Sequence, residues 1–214
     1  MSLQQPGRWN PIRQGIFLLD ALVRRASGYR EFSQDPKCIF RIVWSRAPHA
    51  YTFASGTRVE AQAPVVAIHF WNEHIPPMPP AGPDMQWALV FYRRLRYSLV
   101  LLARYLASHP RGPEIEALYG RIFLSFKDDD PGLRLLQRLG FELKPVSPPS
   151  QWPGRVGFFF VRGYAYALAW AYNPGSVHNR SRDRKRLTEV WMSRRTLWAY
   201  RTPSTVPSGK EVVS

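Results

Sequence analysis

The nine residues IPPMPPAGP, Ile75 to Pro83, carry five prolines. Proline lacks the backbone donor that a helix interior or a central strand requires, so this stretch reads as a stiff extended crossover. It divides the chain. Upstream, CIFRIVW from Cys38, YTF from Tyr51, TRVE from Thr57 and VVAIHFW from Val65 are short β-branched and aromatic runs. A Ser55-Gly56 turn signal and Pro64 separate them, and the spacing predicts an antiparallel meander. Downstream, Asp84 suits the N-cap of the longest helix, which runs through LVLLARYLAS and stops before Pro110. Apolar residues occur nearly all round that helix, so burial on more than one side is expected.

Residues 13–27 place Ile16, Leu19, Leu22 and Val23 on one helical stripe. RIFLSF (121–126) reads as a buried strand. Asp130-Pro131 starts a short helix, Gly140 stops it, and FELKPV returns as a strand. The three acids of KDDD (127–130) complement a helix N-terminus rather than mark a magnesium site. The fold class expected is α+β (α/β), a mostly antiparallel sheet with a meander, covered by the long central helix and the N-terminal helix. Residues 1–146 form the core, 147–201 an aromatic and basic segment packed on it, and 202–214 a disordered tail.

Thirty basic residues face fifteen acidic ones, a net charge of +15, and arginine supplies most of it. Such a surface attracts polyanions. The charge is richest beside aromatics. Trp170 and Tyr172 close an aromatic run, and Arg180, Arg182, Arg184, Lys185 and Arg186 follow. Rings at headgroup level with cations on anionic lipid are the chemistry of an interfacial membrane segment, and Arg162 inside the run argues against a span. The same chemistry suits single-stranded nucleic acid, a weaker candidate because no recognised RNA or DNA motif appears. A single cysteine, Cys38, excludes an internal disulfide framework and a multi-cysteine zinc site. GIFLLDALV is broken by Asp20 and lacks a small-x-small cleavage site, so a cytoplasmic protein is expected, working at the inner face of the membrane.

The densest polar cluster is IHFWNEHI, Ile68 to Ile75. On a strand, His69 and Glu73 share a face but lie roughly 13 Å apart, too far to chelate one metal. The spacing is H-x-x-x-E-H, not the H-x-x-E-H of a zinc-protease helix, and prolines follow at once. No metal and no cofactor is expected. His69, Glu73 and His74 are the acid–base candidates. Asn72 at the strand exit, with Arg93, Arg94, Arg96 and Arg162, would form an anion-binding pocket. That enzyme reading requires His69, Glu73 and His74 to be accessible and to face a cavity.

The run CIFRIVW, then FASGTRV, VVAIHFWNEHI, RLGFEL and VWMSRRTLWAYR, in that order, resembles the YkoP-like domain of bacteria. The similarity extends from the first helix to Arg201, and its most specific piece ends in IHFWNEHI. The resemblance implies no established activity and no catalytic residues. Some members are joined to or grouped with polysaccharide deacetylases and other envelope enzymes, which implies an envelope-related setting. The expected role is therefore a peripheral membrane accessory protein in envelope polysaccharide or lipid metabolism, with an anionic membrane surface or envelope-synthesis enzymes as partners. The alternatives are a small-molecule enzyme at Asn72–His74 and a non-specific nucleic-acid binder.

Overall fold

The computed structural model describes residues 10–124, 131–146, 152–174 and 186–201. Strands β1 (Phe40–Arg46) and β4 (Pro64–Phe70) pair antiparallel along their whole length, from Phe40 opposite Phe70 to Arg46 opposite Pro64. Between them β2 (Tyr51–Thr52) and β3 (Arg58–Val59) make a separate two-stranded hairpin around the Ser55-Gly56 turn. The meander therefore splits, because β2 and β3 are too short to extend the main sheet. Strands β5 (Ala117–Leu124), β6 (Glu142–Pro145) and β7 (Arg186–Ser193) complete it. The order is β1-β4-β5-β7-β6, antiparallel throughout except at β4-β5. The C-terminal stretch thus supplies an interior strand, since β7 lies between β5 and β6.

The parallel pair needs a crossover, and α2 (Met85–Ser108) provides it. Asp84 caps this helix, its Oδ1 accepting from Trp87 N at 2.6 Å. Leu95, Leu99, Leu102, Ala103 and Leu106 of α2 pack on Ile42, Val66, Ile68, Leu118, Val190 and Met192 of the sheet. Only one side of α2 is buried, and Met85, Leu89 and Tyr97 remain exposed. The helices α3 (Pro131–Arg138) and α5 (Arg194–Trp198) add Leu136 and Leu197 to the same core. Gly140 ends the α3 unit at φ 84°, a left-handed conformation that a side chain resists. The opposite sheet face carries a smaller core at the start of β4, where Phe53 and Val59 meet Val65, Ala117 and Trp191.

Two helices remain, α1 (Pro11–Ala26) and α4 (Trp152–Tyr172). They pack together through the Phe17 and Tyr172 rings, 4.7 Å apart, and through Arg13 Nε donating to Ala171 O at 2.7 Å. The expected apolar stripe of α1 is divided. Ile16 and Val23 are half-buried, but Leu19 is 50% and Leu22 57% exposed. The buried residue of α1 is Asp20, at 3%. The side of α1 turned toward the protein therefore mixes Ile16, Phe17 and Val23 with Asp20 and Arg24.

Candidate functional site

Beyond its small core, the second face of the sheet is polar. Arg41 lies opposite His69, Arg121 opposite Glu189, and Glu189 opposite Lys144. Since Ile68 pairs with Gly120, the next position sets His69 beside Arg121. A row of ionisable side chains therefore crosses all five strands, an arrangement open to a face that helices do not seal with apolar side chains.

At the exit of β4 the row meets α1. Trp71 continues the strand direction, and the Arg41 guanidinium sits 4.4 Å from its ring centre. The next three residues, Asn72–His74, wind into one 3-10 turn before the prolines. Glu73 accepts from Arg41 Nη1 at 3.4 Å and from Arg24 Nη1. Arg41 also reaches Glu31 at 3.1 Å, and Arg24 Nε lies 3.3 Å from Asp20. Asp20 then accepts from the hydroxyls of Tyr164, at 2.7 Å, and Tyr172, at 2.9 Å. The chain Glu31–Arg41–Glu73–Arg24–Asp20 alternates in sign and joins β1, the turn, α1 and α4. Burial opposes ionisation of Glu73, but its own backbone amide, Arg41 and Arg24 outweigh it and hold the carboxyl below its usual range.

The histidines are committed in the same way. His74 stacks on Trp71 at 3.8 Å and donates from Nδ1 to Cys38 O at 2.7 Å, while its carbonyl accepts from Arg94 Nη1. His69 Nδ1 is 3.1 Å from the Tyr29 hydroxyl, and burial pushes its pKa down to about 4, so the ring is neutral at pH 7. A cavity of about 50 Å³ lies beside His69 and Arg121, otherwise bounded by apolar side chains such as Phe40, Ile68 and Leu95. Asn72, Glu73 and His74 do not line it. Arg93, Arg96 and Arg162 are exposed, whereas half-buried Arg94 reaches the strand exit at the His74 carbonyl. Among the described residues no group of three or more His, Cys, Asp or Glu could hold a metal.

A second buried carboxylate occupies the far part of the row. Glu189 Oε1 accepts from Tyr119 at 3.1 Å and Arg121 at 3.3 Å, and Oε2 from Trp191 Nε1 at 3.4 Å. His49 Nε2 lies 3.2 Å from Oε2 but out of line for a hydrogen bond. Tyr51 stacks flat on Trp191 at 4.7 Å and donates to Glu142. Sequence reasoning passed over Asp20, Arg24, Arg41 and Glu189. A carboxylate inside an apolar helical run, and another inside the strand LTEVWM, were the available signals.

Of the basic-segment candidates, Trp170 is half-buried, Tyr172 holds Asp20, and Arg186 begins β7. Arg180, Arg182, Arg184 and Lys185 lie outside the described residues, as do KDDD (127–130) and the tail 202–214. No helix among the described residues is long and apolar enough to cross a membrane. A family model, the YkoP domain, matches residues 12–201. No curated protein and no solved structure matches the chain.

Proposed function

The chain belongs to the YkoP domain family, and on that footing we propose that it is a peripheral membrane protein. It rests on an anionic bilayer through the outer side of α1 and α4, as an accessory in envelope polysaccharide or lipid metabolism. The observation that carries this reading is the exposed apolar outer side of α1. Arg13, Phe17, Asp20 and Arg24 make the contacts to α4 and to the 3-10 turn, while Ile12 (68%), Leu18 (65%), Leu19 and Leu22 are exposed. Phe159 and Phe160 of α4 are exposed as well, the latter at 75%. Several large apolar side chains on two adjoining helices exceed the scattered exposure normal for a soluble surface. Exposed Arg25 and Arg162 accompany them, and the net charge of +15 suits a negative surface. The basic run Arg180 to Arg186 adds to that attraction.

Vesicle sedimentation tests the reading. The protein pellets with phosphatidylglycerol vesicles and not with phosphatidylcholine, and Leu18→Ser with Leu22→Ser removes most of the binding. Binding unchanged by this pair and by Phe159→Ser with Phe160→Ser refutes it. A dimer that the Leu18→Ser, Leu22→Ser pair dissolves would assign the face to a second copy instead.

A further inference from the structure

At the other end of the sheet, a groove of about 510 Å³ opens where β5 begins and β7 ends. Its size falls in the range of small-molecule sites, roughly 300–1,000 Å³. Arg58, Arg194 and Arg195 line it together with Glu116, Ser193 and Trp198. Three arginines against Glu116, with Glu60 beside Arg58, leave the groove positive.

The arginines differ in how far they are committed. Arg194 Nη1 donates to Pro113 O at 2.7 Å and its guanidinium lies 5.5 Å from the Trp198 ring centre, so it is held in place with other donors unused. The Arg195 guanidinium is exposed and has no ion-pair partner among the described residues. Arg58 pairs with Glu60 at 2.7 Å, but both side chains are more than half exposed. An exposed pair of that kind contributes at most about 1 kcal/mol, which an incoming anion can displace. Half-buried Trp198 supplies an apolar surface that a bare phosphate ion would not use.

We propose that this groove binds a phosphate-bearing ring compound of sugar-phosphate size, taken from the aqueous phase. Arginine forks match phosphate oxygens in pairs, and the indole of Trp198 packs against the ring. The aqueous source follows from position. The β4 exit, where α1 is tied down, and the groove lie at opposite ends of strands about 20 Å long, from six steps of about 3.3 Å between seven residues. A bilayer lying on α1 and α4 would meet the end of the sheet remote from the groove.

Calorimetric titration with glucose 1-phosphate, inorganic phosphate and glucose tests the assignment. Glucose 1-phosphate should saturate one site per chain, more tightly than inorganic phosphate, and glucose should not bind. Arg195→Gln should weaken the sugar phosphate about tenfold and Arg58→Gln with Arg195→Gln further, while Lys37→Gln before β1 leaves it unchanged. No saturable binding, equal binding of inorganic phosphate, or an equal loss in Lys37→Gln overturns the proposal. Phosphatidylglycerol vesicles distinguish the source. Arg195→Gln should pellet with them like the parent protein, and loss of pelleting would make the ligand a lipid headgroup and overturn the aqueous assignment. The two readings fail separately, because the α1 variants leave the groove intact.

Discussion

Replacing Asp20 with alanine should detach α1 without unfolding the sheet. The carboxylate is 3% exposed and accepts from two phenols, at 2.7 and 2.9 Å, while pairing with Arg24 at 3.3 Å. Truncation strands the two phenol donors and leaves Arg24 with Glu73 as its remaining partner. Breaking a buried charged cluster by removing one partner costs about 3–5 kcal/mol. That cost should fall locally, because α1 is held by polar contacts and the Phe17–Tyr172 ring contact to α4 and by Glu73, and contributes nothing to the main apolar core. Hydrogen exchange reads the difference. Amides of 12–26 should exchange roughly a hundredfold faster, the equivalent of about 3 kcal/mol, while those of β1, β4 and α2 keep their protection. Asp20→Leu combined with Tyr164→Phe and Tyr172→Phe should recover most of the loss, since no polar group is then left unpaired. Acceleration below threefold in the alanine variant, or equal acceleration in α1 and the sheet, would refute the reasoning.

Stability should fall on acidification in two stages. His69 takes its proton near pH 6.5 when unfolded and near 4 when folded, so stability present above pH 6.5 declines by about 3 kcal/mol toward pH 4. Denaturant titrations of His69→Gln should be flat in that window. Glu73, whose folded pKa is depressed, then loses its contribution as pH drops below the ordinary carboxylate range. On the alkaline side, burial and then the bond to Asp20 push the Tyr164 and Tyr172 phenols far above their ordinary value, and burial with Glu142 takes Tyr51 to about 12. Absorbance at 295 nm should show these three silent up to pH 11 and ionising only with unfolding. Gly112→Ala should cost about 3 kcal/mol or more in urea melts, because its Cβ would fall 1.7 Å from the Leu106 carbonyl oxygen.

The amino-acid order settles what depends on neighbours along the chain. Asp84 caps α2, the prolines after Ile75 end the first strand set, and Gly140 stops the α3 unit, all through local backbone chemistry. The strand VVAIHFW is equally legible, since a β-branched and aromatic run bounded by turn residues is a short-range signal. Even the separation of His69 from Glu73 follows from strand geometry.

What tertiary structure decided is which side of an element faces what. A helical stripe shows that α1 has an apolar side, not that this side meets the core. Asp20 is drawn inward by hydroxyls 144 and 152 residues away, and no local pattern encodes such a partner. Glu73 likewise reads as a free acid until Arg24 and Arg41, 49 and 32 residues distant, are folded onto it. β7 enters between β5 and β6 through pairing across the whole chain, and the groove at its end exists only because β3, β5 and α5 converge there. Long-range pairing of charges and strand edges is a property of three-dimensional proximity, so the polar network and the groove became visible only once the chain was folded.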